Sequence, residues 1–113
     1  MNAVIDDYVA AWNCGEPEQR AKLLDASWAL GATYTDPTVA LVGSAELEAH
    51  IVARQTQRPG AVIELTGPVD AHHDWASFRW RARLGETTLV SGFDCVQFAD
   101  DGRLCCVVGF FDV

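Results

Sequence analysis

No stretch of the sequence approaches the ~20 consecutive apolar residues that a membrane-spanning helix requires. Residues 1–7 also lack the basic region and the long apolar core of a secretory signal. We therefore expect a soluble, cytoplasmic protein with no membrane partner.

Basic residues are scarce. The chain has 8 lysines and arginines against 16 aspartates and glutamates, which gives a formal net charge of −8. A phosphate backbone is repelled by this excess of negative charge unless a local basic patch overrides it. We therefore expect no nucleic-acid partner.

Motifs for metals and cofactors are absent from the sequence as well. Its four cysteines show no C-x-x-C spacing, and its histidines show neither H-x-x-x-H nor H-x-H spacing. It contains no glycine-rich phosphate loop and no nucleophile elbow. We expect no metal and no cofactor, and we interpret the cysteines as small buried apolar residues rather than disulfide partners.

The pattern of apolar residues predicts one α+β domain, because 113 residues suffice for a single hydrophobic core. Helical spacing predicts a helix around residues 5–12, a second that opens at Glu16-Pro17 and buries Trp28, and a third from Ser44 to Pro59. Strands are predicted over residues 32–35, 61–66, 69–74, 76–84, 87–98 and 103–112. Three helices followed by a run of strands favour helices packed on one curved antiparallel or mixed β-sheet, where they can close a pocket.

Asp94 is a carboxylate on an apolar face. In the predicted strand 87–98 it shares the period-two face of Val90, Val96 and Phe98. Burying an ionised carboxylate is costly, so such a group takes a proton, finds a partner or serves chemistry. Asp36 ends another apolar segment, and two acids directed at one apolar pocket indicate acid/base catalysis.

Four segments of the sequence resemble ketosteroid isomerases and occur in the same order: residues 8–15, 32–37, 65–73 and 93–103. Those enzymes and the SnoaL-like polyketide cyclases belong to the nuclear transport factor 2-like superfamily of cone-shaped α+β domains. The resemblance implies a single domain over residues 1–113, with a cone-shaped barrel and one internal pocket. It also implies a homodimer, since sheet-to-sheet pairing is common in this superfamily.

The resemblance also implies roles for three residues. Asp36 matches the proton-shuttling base of the isomerases, and Tyr8 and Asp94 match the two donors of their oxyanion hole. A base must be ionised to take a proton next to a carbonyl, whereas the acid that faces the enolate must keep its proton. Ketosteroid isomerase is a known example of a carboxylic acid held neutral by an apolar site.

The walls of the pocket are expected to be aromatic, which suits a small apolar ligand. His73 is in phase with Val69, Ala71 and Trp75, so we expect it to line the pocket while His72 faces solvent. The full set of expected ligand contacts comprises Trp12, Trp28, Tyr34, His50, His73, Phe78, Trp80 and Phe110.

The sequence thus predicts a cofactor-independent isomerase, cyclase or lyase that acts on a small hydrophobic carbonyl compound by proton transfer. Two structural interpretations stay open beside it. Asp36 could only cap the turn before Pro37, and Asp94 could be a structural acid bonded to Tyr8 or to a histidine. The chain would then be a non-catalytic domain of the same fold that binds an apolar ligand or dimerises.

Overall fold

Three helices and seven strands make up residues 2–113, the part of the chain that this computed structural model describes. The helices are α1 (Ala3–Asn13), α2 (Pro17–Ser27) and α3 (Ser44–Gln57). The strands are β1 (Trp28–Asp36), β2 (Val39–Val42), β3 (Val62–Leu65), β4 (Asp70–His72), β5 (Trp75–Leu84), β6 (Thr87–Phe98) and β7 (Leu104–Phe111). The prediction of an α+β fold with three N-terminal helices is confirmed.

All seven strands form one mixed sheet in the order β2-β1-β7-β6-β5-β3, with β4 paired to β5. β1 and β7 run parallel, and every other neighbouring pair is antiparallel. The sheet is open, because β2 and β3 are edges that do not pair with each other. The expectation of a barrel is therefore corrected. α1 packs against β3, and α3 packs against β1 and β2, so helices cover the sheet at its two unpaired edges.

The first two helices begin at side chains that accept hydrogen bonds from free backbone N–H groups. The Asn2 side chain accepts from the Ile5 N–H at 3.1 Å. The Glu16 carboxylate accepts from the Glu18 and Gln19 N–H groups, and Pro17 occupies the first helical position as predicted. These caps satisfy backbone N–H groups that the first turn of a helix leaves without a partner.

The boundary between α2 and β1 lies earlier than the sequence pattern predicts. The helix ends at Ser27, and Trp28 already has extended backbone angles (φ −114°, ψ 116°) and pairs with Leu104 of β7. Trp28 is buried in either case, so burial spacing could not distinguish the helix from the strand. The sequence pattern also does not predict β2, because its four residues alternate between partly buried and exposed and follow Asp36 after a two-residue turn.

The hydrophobic core lies between the helices and the inner face of the sheet. α1 contributes Ile5 and α3 contributes Leu47 and Ile51, all fully buried. They pack over sheet residues that include Val96 and Val107. A cavity lies in the same layer, and the core residues Tyr8 and Phe78 also line it.

Residues 2–113 bear on the expectations about membranes, metals and cysteines. No helix there combines the length and the apolar character needed to cross a membrane. No group of three or more histidine, cysteine, aspartate and glutamate side chains in this range is arranged to hold a metal ion. The four cysteines are free thiols and only half-buried, so the expectation that they are buried apolar residues is too strong.

Candidate functional site

A cavity of about 80 Å³ lies between α1, α3 and the inner face of the sheet. A single water needs roughly 10–15 Å³ by the same kind of measure, so the space fits a small ligand. The cavity brings together Tyr8, Asp36 and Asp94, the three residues expected to be catalytic. Five of the expected ligand contacts also line it: Trp12, Tyr34, His50, Phe78 and Trp80.

The Asp36 carboxylate divides its two oxygens between a turn and the cavity. Its Oδ1 accepts hydrogen bonds from the Thr38 backbone N–H at 2.7 Å, the Thr38 hydroxyl at 2.6 Å and the Val39 N–H at 3.2 Å. Its Oδ2 accepts one from the Tyr34 hydroxyl at 2.7 Å. Oδ1 therefore caps the turn, as the structural interpretation expected. Oδ2 can still accept a proton.

Asp36 is ionised at neutral pH. Burial raises the pKa of its carboxyl, but the hydrogen bonds from Thr38 and Tyr34, together with the nearby His50, outweigh burial and lower the pKa below its ordinary value of 3.8. Donors that favour the charged form lower a pKa in this way. The residue can act as a base, although these hydrogen bonds also weaken its basicity.

His50 approaches Asp36 from α3, with its Nε2 at 3.7 Å from Asp36 Oδ2. Burial, and then the positive charge of Arg54, lower the pKa of His50 below 6.5. The imidazole is therefore neutral at pH 7, and the contact is not an ion pair. Nε2 is buried and has no hydrogen-bond partner among the described residues, so it is available to a ligand or to a closer approach of Asp36.

Asp94 has a different environment from Asp36. Its Oδ1 accepts one hydrogen bond, from the Trp80 indole Nε1 at 2.9 Å, and not from Tyr8 or a histidine as the structural interpretation expected. Burial raises its pKa from 3.8 to about 7, the hydrogen bond from Trp80 opposes that rise, and the charge of Asp36 adds to it. A substantial fraction of Asp94 therefore carries a proton at neutral pH.

Gly109 keeps the space between the two acids open. A Cβ atom at this position would lie 3.0 Å from Asp94 Oδ1 and 3.6 Å from Asp36 Cβ. A distance of 3.0 Å is shorter than nearly all contacts of Cβ atoms in proteins, so any side chain here would press against Asp94. The missing side chain lets both carboxyl groups face the same cavity.

Tyr8 presents a buried hydroxyl without a hydrogen-bond partner in residues 2–113. Its ring stacks on Trp28, with centroids 5.7 Å apart and planes at 12°. Burial and the charge of Asp94 raise the pKa of the phenol well above 10.0, so it stays protonated. A buried donor without a partner costs about 1–3 kcal/mol, and a ligand acceptor in the cavity would offset that cost.

Three of the expected ligand contacts lie outside the cavity. Trp28 packs behind Tyr8, because β1 begins earlier than predicted. His73 is exposed with a positive φ of 54°, since β4 ends at His72 and its alternation ends with it. Phe110 is exposed and stacks on Phe93 across the outer face at 5.0 Å.

Some residues that line the cavity or hold Asp36 were not anticipated. Phe111 lines the cavity in place of Phe110, and the alternation Val107, Gly109, Phe111 along β7 could have identified it. Thr38 could have been found from the common habit of aspartate in Asp-Pro turns to bond the backbone two residues on. Arg54 follows His50 by four residues on one face of α3, and Arg58, the residue at which the helix ends, also lines the cavity.

The chain matches no protein-family model and no curated protein sequence. It does resemble solved structures over nearly its whole length. A candidate isomerase of the SnoaL-like family from Agrobacterium tumefaciens shares 32% identity and superposes with a TM-score of 0.90, covering 97% of this chain and 95% of that one.

More distant structures show the fold alone. A candidate polyketide cyclase from Sinorhizobium meliloti is 17% identical with a TM-score of 0.74, over 96% of this chain and 94% of that one. An NTF2-like protein of unknown function from Exiguobacterium sp. 255-15 is 14% identical with a TM-score of 0.78, over 97% of this chain and 98% of that one. Given the 32% identity to the Agrobacterium protein across nearly the full length of both chains, this chain belongs to the SnoaL-like family, with the nuclear transport factor 2-like fold.

Proposed function

We propose that the protein is a cofactor-independent enzyme that moves a proton on a small apolar carbonyl compound, as an isomerase, cyclase or lyase. The observation that carries the proposal is one cavity in which two carboxyl groups have unlike environments. Asp36 is held ionised by four donated hydrogen bonds, whereas Asp94 has one donor and a pKa of about 7. Pairs of acids whose pKa values are pushed apart are suited to separate acid and base roles.

In the proposed reaction the substrate carbonyl oxygen accepts hydrogen bonds from the Tyr8 hydroxyl and from protonated Asp94. Because Trp80 already bonds Asp94 Oδ1, the other oxygen is the one free to hold the proton for the substrate. Asp36 Oδ2 removes a proton from the carbon next to the carbonyl, and the bonding electrons move to the oxygen as an enolate. Donors preplaced where the negative charge develops lower the barrier to this step.

The cycle closes when protonated Asp36 returns its proton to the enolate. Return to a different carbon gives an isomerase. Attack of the enolate carbon on a second carbonyl carbon opens that C=O π bond to an alkoxide, which takes the proton from Asp36, and the enzyme is then a cyclase. Phe78 and Trp80 line the cavity and limit water around the charged intermediate. Tyr34 and Thr38 keep Asp36 in place throughout.

Hydrogen exchange tests the proposal without knowledge of the natural substrate. Small cyclic and aryl ketones are incubated in D₂O, and deuterium incorporation next to the carbonyl is followed by NMR. The parent protein should accelerate exchange for at least one ketone, and Asp36→Asn should slow the catalysed rate by roughly 10²-fold or more. The matched control is Asp101→Asn, which makes the same replacement at an exposed position.

Equal exchange rates for the parent and Asp36→Asn would remove Asp36 from the mechanism. The second candidate function, a non-catalytic domain that binds an apolar ligand, would then be preferred. The four hydrogen bonds on Asp36 are the observation that favours it, since they stabilise the β1–β2 turn whether or not chemistry occurs.

A further inference from the structure

Two arginines at the cavity lack the carboxylate partner that every other arginine in residues 2–113 has. Arg20, Arg79, Arg81, Arg83 and Arg103 each have a carboxylate oxygen within 3.3 Å. Arg54 and Arg58 have no such partner in this part of the chain, although acidic residues outnumber basic ones two to one over the full sequence. Both of these arginines line the cavity.

Arg54 makes no direct contact with a carboxylate among the described residues, although the Thr38 hydroxyl that it contacts donates to Asp36 Oδ1. Its Nη2 donates to the Thr38 hydroxyl oxygen at 2.9 Å, and its Nη1 donates to Gln57 Oε1 at 2.6 Å. Both acceptors are neutral. The nearby charge is strong enough to help lower the pKa of His50, which lies one turn away on α3.

The position of the two arginines at the end of α3 explains only part of this arrangement. A helix C-terminus stabilises a nearby cation, which accounts for Arg54 in the last turn. It does not account for two like charges that lie at the same cavity and repel each other. It also does not explain why both of them border a cavity with apolar walls.

The arginines and the acids occupy different depths. Arg54 and Arg58 are half-buried, whereas Asp36 and Asp94 are buried with 8% and 7% of their surface exposed. The cavity is therefore cationic toward solvent, apolar along its walls and acidic at its inner end. A ligand complementary to it has an anionic head, an apolar body and a hydrogen-bond acceptor at the far end.

We propose that the ligand of this cavity carries a carboxylate, which Arg54 and Arg58 bind at the mouth while its apolar body and carbonyl group extend inward to Tyr8 and Asp94. The carbonyl part of this inference rests on the proposed function. Guanidinium groups bind the planar carboxylate through paired hydrogen bonds. A carboxylate suits the site better than a phosphate, because a second negative charge would add repulsion from Asp36 in a chain of net charge −8.

Matched acid and amide pairs test the head group directly. Benzoate, phenylacetate and trans-cinnamate are each compared with their amides by isothermal titration calorimetry at low ionic strength. At least one acid should bind about tenfold more tightly than its amide, as expected for hydrogen bonds to a charged group. Arg58→Gln should weaken binding of that acid about tenfold and leave binding of the amide unchanged.

Arg79→Gln is the charge-matched control. Arg79 pairs with Asp112 on the outer face of the sheet, so this variant loses the same charge without touching the cavity. It should bind the acid as the parent does. The proposal is overturned if no acid binds more tightly than its amide, if Arg58→Gln weakens binding no more than Arg79→Gln, or if phenyl phosphate binds more tightly than the acids.

The binding measurement separates this inference from the proposed function. If acids bind through the arginines while Asp36→Asn leaves ketone exchange unchanged, the carboxylate site stands and the proton-transfer proposal falls. If Asp36→Asn abolishes exchange while amides bind as tightly as acids, the reverse holds.

Discussion

The Trp80 indole donates a hydrogen bond to Asp94 Oδ1 at 2.9 Å across neighbouring positions of the sheet. Burial is the main cause that raises the pKa of Asp94, and within residues 2–113 this bond opposes it by favouring the ionised form. The bond therefore limits how far the pKa of Asp94 rises. It also leaves the second oxygen of the carboxyl group for a ligand.

Replacing Trp80 should make Asp94 a weaker acid. Trp80→Phe keeps an aromatic ring but removes the donor, so the pKa of Asp94 should rise above its value of about 7. The measurement is a carboxyl ¹³C NMR titration of the variant beside the parent. An unchanged or lower pKa would show that the indole does not stabilise the carboxylate.

The stability of the fold should depend on pH through Asp94. The folded protein holds the Asp94 proton up to about pH 7 and the unfolded chain releases it near pH 3.8, so the free energy of unfolding falls as pH rises between these values. Each pKa unit is worth ~1.4 kcal/mol, which makes the full penalty on the order of 4 kcal/mol.

Asp94→Asn removes this penalty and keeps an oxygen for Trp80. Urea unfolding should show the variant gaining stability over the parent as pH rises from 4 to 8, by a few kcal/mol in total. The matched control is Asp101→Asn, an exposed acid whose pKa is lowered by Arg103 rather than raised. A constant difference between Asp94→Asn and the parent across this pH range would mean that Asp94 ionises without cost.

Tyr34 should control the acidic limit of activity. Its hydroxyl donates to Asp36 Oδ2 at 2.7 Å and helps lower the pKa of that carboxyl. Tyr34→Phe removes one donor, so the pKa of Asp36 should rise and the loss of ketone exchange in acid should begin at a higher pH. If the acidic limb of the pH–rate profile stayed in place, the Tyr34 hydroxyl would have no part in tuning Asp36.

A phenol should report on the two proposed oxyanion donors. The oxygen of 2-naphthol can accept hydrogen bonds from Tyr8 and protonated Asp94, and binding can be followed by fluorescence. Tyr8→Phe should weaken binding about tenfold, the value of roughly one such hydrogen bond. In the parent protein, affinity should fall as pH rises through about 7, because ionised Asp94 no longer donates.

The pH dependence supplies the control for that experiment. The Asp94→Asn variant has no ionisable group at this position, so its affinity for 2-naphthol should stay flat between pH 6.5 and pH 8, where His50 is already neutral. Binding that is indifferent to both Tyr8→Phe and pH would favour a simple apolar pocket over an oxyanion hole.

The fold could be predicted largely because its signals are local. Proline after Glu16 and the helical spacing around Ile5 and Ile51 depend on neighbouring residues only, and the helices lie where these signals indicate. The exact start of β1 could not be predicted, since Trp28 is buried in a helix or a strand alike. Closure of the sheet could not be predicted either, because it depends on whether β2 and β3 meet across the whole domain.

The site was predictable where alternation along a strand held. Asp94 lies on the inner face of β6 as its period-two position predicts. The same rule fails for His73, which lies beyond the end of β4, whereas it holds for Phe111 at the end of β7. Contacts between distant segments, such as Trp80 with Asp94 or Arg54 with Thr38, leave no local signal in the sequence. The homodimer stays a prediction.

The measurement that most directly tests the division of labour between Asp36 and Asp94 is a carboxyl ¹³C NMR titration of the unliganded parent protein, with Asp36→Asn and Asp94→Asn used to assign the two signals. The predicted result is one carboxyl that titrates near pH 7 and disappears in Asp94→Asn, and another that titrates below pH 3.8 and disappears in Asp36→Asn. Two carboxyls that both titrate near 3.8 would contradict the proposed roles, because neither acid would then hold a proton for the substrate at neutral pH.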